Sequence, residues 1–567
     1  MVPKCPTLFA LMVGLWGLWL LYIDPRLLAL LIGPEPLAAK LCVVLFILTL
    51  NLSWFYVFYH LVIIGCSYLT RSHTHTLSPP AKTYGSGCPA VALLYTTCND
   101  FQEDAARSHL NQDYNRYHFF VLDDSSQPGY RARIDAFAKL FPGRVSVIRR
   151  SERTGFKAGN VNHAIRLIGD AYDYFSISDA DTVLPPNFIR ALLPYVQCPR
   201  IAFAQAAQAA PSDSKTSFAR FMAWNTNLHF RHYASTKNRY GFVMFYGHGA
   251  VLRTDVWRRI GGFPEIATED LAYSMKMREL GYEGVFVNEV VCAEEFPPTY
   301  KQFRKRNEKW IRGTAECLWK YCPSFVKAAH IPWFEKLDVL VSGGSLLTAL
   351  PFMVFLALVG ICLPLFFAEF RTPGLMVRLP VLHDMGPIAL ALQLRSNVFW
   401  TWDWYLLMLL SVWAPLIPVL IELPRQPKRM FQYLAAQTYH TLATQVVSAL
   451  NLASFFLTKR APFPVTGEID IKSSRPPRNQ RTREWLTQPH TNRPGVFLAE
   501  VLGGTVCWAI AIMTQNIWFV TIAAALWCSP LVFRWNLETR LVRSLVFVPL
   551  VLTCVILVLV GKNLVWP

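Results

Sequence analysis

The chain has 567 residues, 53% of them hydrophobic and only 16% charged, a balance that excludes an ordinary soluble domain and a disordered chain. Its 55 Lys and Arg against 37 Asp and Glu leave a net charge of +18, but the basic residues cluster beside apolar runs, at 425–429, 472–483 and 534–543. That placement marks cytoplasmic loops of a membrane protein rather than a nucleic-acid surface. Thirteen cysteines without CxxC pairs or metal-type spacing point to reduced thiols and no structural zinc.

In chain order, apolar runs at 8–23 and 41–64 predict two membrane helices within residues 1–70, each near the ~18 residues that a spanning helix needs. The first lacks a small-residue cleavage site and is read as an uncleaved anchor. Residues 88–325 then form a soluble domain. The stretches "AVALLYTTCND", "HFFVLDD", "VSVIRR" and "YDYFSISDAD" are short buried-strand patterns followed by polar turn residues, alternating with helical patterns. They predict a mostly parallel α/β sheet. Ligands bind at the carboxyl ends of such strands, where Asn99, Asp100, Asp123, Asp124, Asp179 and Asp181 fall.

Further along, "FKAGNVNHA" supplies Lys157, Asn160 and Asn162, and "FYGHGAVLR" supplies His248. In "IATEDLAYSMKMRELGY", Thr268 reads as a helix N-cap, Glu269 and Asp270 complement the first turn, and Gly281 stops the helix. "RNEKW" places Arg306, Lys309 and Trp310 on one basic, aromatic helix. Runs at 337–367 and 406–423 predict two spans within 337–423. Residues 424–495 read as an interface helix over 430–457, with Gln432, Gln437, His440, Gln445 and Asn451 turned to the cytoplasmic boundary, then a loop containing "FPVTGE". Runs at 496–513, 518–533 and 542–560 predict three more spans within 496–567, seven in all, with a cytoplasmic amino terminus and α/β domain and the carboxyl terminus on the far side.

These motifs resemble those of the processive, membrane-integrated family 2 glycosyltransferases, exemplified by cellulose synthase and its hyaluronan and chitin synthase relatives. The resemblance runs from about residue 88 to 313 and less specifically to 468. It implies a GT-A-like domain inserted between transmembrane segments. It also implies that Asn99 and one of Asp123 and Asp124 contact the nucleotide, and that Lys157, Asp179 and Asp181 hold the diphosphate and Mg²⁺ or Mn²⁺. Asp270 takes the role of catalytic base, with Thr268 and Glu269 in the same motif. Arg306 and Lys309 face the diphosphate, Trp310 and His248 the acceptor, and Thr466 the nucleotide. Two departures stand out. Arg306 occupies the Gln position of the family's Gln-x-x-Arg-Trp motif, and Glu468 replaces the last lysine of its gating loop.

The implied reaction is inverting transfer from a nucleotide-sugar, a UDP-hexose, to the growing end of a β-linked polysaccharide, with translocation of the product across a bacterial inner (plasma) membrane. Single transfer to a lipid carrier or glycolipid is the alternative, and a nucleotide-sensing receptor or transporter the rival class. The implied partners are the nucleotide-sugar donor, a polysaccharide acceptor, membrane lipids and export or periplasmic accessory proteins, with no nucleic acid.

Overall fold

The computed structural model describes residues 4–70, 88–210, 214, 216–367, 376–378, 391–393, 409, 410, 413–459, 491–514 and 518–565. Two apolar helices, α1 (Thr7–Leu28) and α2 (Leu37–Thr70), pack along each other and lead into a seven-stranded sheet. Its strands are β1 (Val91–Thr97), β2 (Tyr117–Asp123), β3 (Val145–Ile148), β4 (Tyr174–Ser178), β5 (Ile201–Ala209), β6 (Ala250–Arg253) and β7 (Glu283–Ala293). The order across the sheet is β3-β2-β1-β4-β6-β5-β7. β6 runs antiparallel to both its neighbours and every other pairing is parallel, so the expected mostly parallel α/β architecture is present.

The near-continuous apolar strands follow from burial on both faces. Val91, Leu93 and Tyr95 enter one apolar layer with Phe119 and Val121, while Ala92 and Leu94 enter the opposite layer with Phe120 and Leu122. The register pairs Thr97 with Asp123 and Tyr95 with Ser178, which brings the polar residues after β1, β2 and β4 to a single edge.

Three helices frame that edge: α3 (Phe156–Ile168), α4 (Glu269–Glu279) and the 28-residue α5 (Tyr300–Lys327). The apolar run read as a span over 337–367 is broken. It forms α6 (Trp333–Gly344), a short turn at Ser345–Leu347, and α7 (Ala349–Ala357), which continues through a π segment, Leu358–Cys362, to Phe366. Only Ala349–Phe366 is long and apolar enough to cross a membrane. The reason lies in two acids of α6. Glu335 receives Arg278 of α4 at 2.7 Å and Lys4 at 2.9 Å, and Asp338 pairs with buried Lys237, so charges hold α6 to the helices beside the sheet and to the start of α1.

Residues 430–457, read as one helix lying in the interface, form two, α8 (Pro427–Ala443) and α9 (Gln445–Thr458), bent by 44°. Their polar side chains turn inward. Gln437, His440 and Gln445 line the central cavity, and Asn451 donates to the Thr491 hydroxyl at 3.1 Å. The last helices are α10 (Pro494–Thr514), α11 (Trp518–Trp535) and α12 (Arg540–Val565). Among the described residues six helices meet the length and hydropathy of a membrane span, and the bent pair makes a seventh if counted as one. Part of the run at 406–423 lies outside the described residues.

One buried ion pair joins α5 to this helical region. Arg304 donates to Glu500 at 2.7 Å and to the Thr491 carbonyl at 2.8 Å, Ser529 donates to Glu500 at 2.7 Å, and neither charged side chain reaches solvent. Removing one member leaves an uncompensated buried charge, at a cost of about 3–5 kcal/mol. Thermal unfolding in detergent is therefore expected to show large losses for Arg304→Met and for Glu500→Leu alone, and a much smaller loss for the double variant.

Candidate active site

The loops after β1 and β2 are stitched together by Asn99, whose left-handed backbone (φ 62°) aims its side chain across the gap. Its Oδ1 accepts from the Ser126 and Gln127 amides at 2.9 and 3.0 Å. Adjacent strand residues point to opposite sides, and this separates the two aspartates of "LDD". Asp123 is buried, accepting from the Ser125 amide at 2.8 Å and from Arg149 at 2.7 Å. Asp124 reaches the cavity and is paired with Arg150 at 2.7 Å.

Helix α3 opens at Gly155 (φ 67°), where a Cβ would fall 2.4 Å from the Glu265 side chain, so only glycine admits this turn. The turn aims Lys157 inward, to pair with Asp179 and donate to the Gly247 carbonyl at 3.0 Å. Burial by itself would raise the Asp179 pKa, but Lys157, His248 and Lys309 more than offset it and hold the carboxyl well below the usual range. The amides expected beside Lys157 are structural: Asn160 donates to the Leu122 carbonyl and Asn162 clamps Phe263.

Asp181 behaves oppositely. Burial, then the charges of Glu294 and Asp179, push its carboxyl well above the ordinary value. Glu294 and Glu295 are brought there by the bridge between Val183 and Ala293, at the carboxyl end of β7. Sequence reasoning passed over both, although "CAEEF" shows the acid-after-strand signal that singled out "SDAD". His248 sits against this acidic floor, 3.2 Å from Gln208 Nε2 and 3.5 Å from Glu294, with Thr182 on its other ring nitrogen. Among the described residues no three His, Cys, Asp or Glu side chains form a metal cage.

Asp270 stands in the first turn of α4, its Oδ1 accepting from the Leu271 amide at 2.8 Å. Burial, then the neighbouring Glu269, raise its pKa to about 7, against the opposing pull of Lys309 and Lys157. Gly247 (φ 85°) borders it, and a Cβ there would lie 3.4 Å from Asp270 Oδ2. Thr268 occupies the N-cap position but makes no capping bond. Its hydroxyl donates instead to the Gly313 carbonyl at 2.9 Å, tying α4 to α5. On α5, Trp310 is 40% exposed, and the Arg306 guanidinium lies 4.6 Å from its ring centroid and 4.5 Å from that of Phe296. Burial lowers the Arg306 pKa to about 10, with Glu294 and Asp181 pulling it back up.

A single cavity of about 2460 Å³ collects the expected site residues except Asn162, which holds Phe263, and two more. Asp123 is turned away, and Thr466 lies outside the described residues. From Asp270 the cavity continues between the membrane helices, past Trp54, Phe46, Phe355 and Phe519.

The contact between α4 and α5 allows no extra atom, because a Cβ at Gly313 would come within 2.8 Å of Thr268 Cγ2. Gly313→Ala is expected to cost about 1–3 kcal/mol in unfolding measurements through overpacking. Adding Thr268→Ser, which deletes that methyl and keeps the hydroxyl, is expected to restore most of the loss.

Residues 174–424 match the family model for glycosyl transferase family group 2. Among curated proteins the chain is similar to probable glucomannan 4-beta-mannosyltransferase 15 of Arabidopsis thaliana, 26% identical over 232 residues, 39% of this chain and 43% of that protein. It is similar also to probable glucomannan 4-beta-mannosyltransferase 11 of the same plant, 27% identical over 229 residues, 39% of this chain and 52% of that protein. The chain thus spans about half the length of the curated relatives it matches. Among solved structures, the mannosyltransferase PcManGT from Pyrobaculum calidifontis in complex with GDP-Man and Mn²⁺ is 17% identical with a TM-score of 0.42, covering 57% of this chain and 86% of that one. S. aureus TarS 1-349 is 11% identical with a TM-score of 0.31, covering 68% of this chain and 98% of that one.

Proposed function

We propose that this chain, whose residues 174–424 match the family model for glycosyl transferase family group 2, is an inverting membrane glycosyltransferase that extends a β-linked polysaccharide from a nucleotide-sugar. The observation that carries the proposal is Asp270, a half-buried carboxyl raised to about 7 in a cavity shared with Lys157, Asp179, Lys309 and Trp310. A base with that pKa is half ionised near neutral pH, where proton transfer is most effective.

The donor binds along the strand ends, its base beside Asp124 and Asn99 and its diphosphate beside Lys157. Ionised Asp270 takes the proton of the acceptor hydroxyl as that oxygen attacks the anomeric carbon in line and the bond from that carbon to the diphosphate breaks. Lys157 and Lys309 place positive charge against the departing diphosphate. The acids around Asp181 fit a divalent cation, since a carboxyl pushed up by neighbouring acids is relieved by one. Mg²⁺ or Mn²⁺ held by Asp181 and Asp179 would supply further charge neutralisation on the leaving group.

Trp310 offers a flat face to the acceptor sugar, and the cavity between the membrane helices offers the product a way out. The plant relatives are named mannosyltransferases, which puts a mannosyl donor beside the UDP-hexoses in the first panel to be assayed. The proposed setting is a bacterial inner membrane with the sheet on the cytoplasmic side, following the basic loops.

Asp270→Asn is expected to bind donor and to abolish transfer, and activity within tenfold of the parent would remove Asp270 from the role. Because the working form is the anion and its pKa is raised, kcat/KM for the donor should fall about tenfold per pH unit below about pH 7, a limb that a carboxylate of ordinary pKa would place near pH 4. Trp310→Leu removes a stacking face worth roughly 1–3 kcal/mol, about ten- to a hundredfold in transfer, and should leave donor hydrolysis by water intact. Mass analysis of the product formed from each nucleotide-sugar separates polymer from a singly glycosylated lipid, and identifies the sugar.

A further inference from the structure

The central cavity changes chemistry along its length, and two stretches of chain almost 300 residues apart change it in the same direction. α2 meets the sheet domain at its carboxyl end, where His60 Nδ1 lies 2.7 Å from the Tyr233 hydroxyl and the Ser67 hydroxyl 2.7 Å from His232. α6 meets it through the pair of Asp338 with Lys237, and α7 then leads away. On α2 the lining residues near the sheet include His60, Tyr59 and Tyr56, and those farther out include Trp54, Leu50 and Phe46. From α6 into α7 the lining passes from Asp338, Ser342 and Ser345 to Phe352, Phe355 and Val359. Both walls run from polar to apolar.

Phe46, Leu50 and Trp54 recur every four residues, and Phe352, Phe355 and Val359 every three or four, so each set forms one stripe. The stripes meet where the Phe46 and Phe355 rings stack at 5.9 Å, and from Phe46 to Trp54 the apolar limb runs about 12 Å along α2. Among the described lining residues of α7, α11, α12 and this stretch of α2, the polar groups are the Trp54 and Trp518 indoles and the hydroxyls of Ser53, Thr521 and Thr553. Ser53 already donates to the Thr49 carbonyl at 2.9 Å. A sugar polymer carries several hydroxyls on every unit and pays for each one buried without a partner, whereas a hydrocarbon chain needs none. The sheet end is the reverse: Gln437 and His440, one turn apart on α8, line the cavity with Oε1 and Nδ1 buried and without a hydrogen-bond partner. His440 lies edge-on to Phe303 at 4.6 Å, and the Arg306 guanidinium joins that ring to Trp310, 5.3 and 4.6 Å from the two centroids.

We infer that the first acceptor is a glycolipid, its sugar on Trp310 beside Gln437 and His440 and its hydrocarbon chain in the limb lined by Leu50, Phe355 and Val359. The transfer step rests on the proposed function: the glycolipid's sugar hydroxyl yields its proton to Asp270 as its oxygen bonds to the anomeric carbon and the bond from that carbon to the diphosphate breaks. The chain enters the limb first, and a lengthening product follows it outward. Binding of the chain does not depend on that step.

The test uses the full chain in nanodiscs free of glycoside detergent, with methyl and decyl β-glycosides of glucose and mannose as acceptors. The decyl glycoside is expected to reach half-maximal transfer at a concentration at least about tenfold below the methyl glycoside, from apolar burial. Leu50→Asn and Val359→Asn are expected to bring that ratio toward one, and a ratio taken within each variant does not depend on how much of it folds. Equal use of the two glycosides by the parent overturns the inference, as does a ratio that both variants keep, which is the mark of simple enrichment in the bilayer. A decyl glycoside with a diazirine at the chain end, irradiated without donor, is expected to label Leu50, Trp54, Phe355 or Val359, in competition with the plain decyl glycoside. Label confined to outward residues such as Leu48 and Val354, 61% and 41% exposed, overturns the inference. Labelling is read without any transfer, so limb labelling by a protein that glycosylates neither acceptor counts against the proposed function and supports the chain site.

Discussion

The contact of Gly313 with Thr268 is the constraint on which the site depends, because it joins two systems built by different rules. The acids after β1, β2 and β4 are placed by strand register, which is local and repeats every two residues. Lys309 and Trp310 are placed by a 28-residue helix that belongs as much to the membrane region as to the sheet. Only where a glycine lets the helix approach, and a threonine hydroxyl grips its backbone, do the two systems acquire a fixed distance. The charges then act on one another: Lys309 pulls on Asp270 and on Asp179 from across that contact.

The electrostatics divide three half-buried carboxyls by their company. Asp179 has Lys157 against it and stays ionised. Asp181 has Glu294 and is pushed up. Asp270, between Glu269 on one side and two lysines on the other, comes to rest near neutrality. Identical side chains lining one cavity are thereby given different protonation states, the arrangement from which acid, base and ligand roles are drawn.

Much of this was legible in the chain itself. Alternating apolar strands ended by acids disclose the sheet edge, and a first-turn Glu-Asp pair discloses the start of α4, because both signals are local. What stayed hidden depended on distance or on parity. Asp123 and Asp124 are equally placed on paper, and only the pleat decides which one meets Arg149 and which one the cavity. Thr268 is a good N-cap by composition, yet its hydroxyl is taken by a carbonyl 45 residues away. Polar residues in 430–457 mark a face turned away from lipid, but hydropathy does not distinguish a headgroup layer from an internal cavity. Asp338 was diluted by the apolar residues around it, so a hydropathy window read through the boundary between α6 and α7.

The Arg304–Glu500 pair carries a consequence for how the protein is made. Its members are 196 residues apart, so during synthesis the arginine of α5 exists for a long time before its carboxylate does. An apolar environment does not accept a lone guanidinium, and α5 must wait at the wet boundary until α10 has been delivered. The helix bearing Lys309 and Trp310 therefore settles only after α10. An incompletely synthesised chain therefore holds a finished sheet edge without the fixed position of Lys309 and Trp310 opposite it.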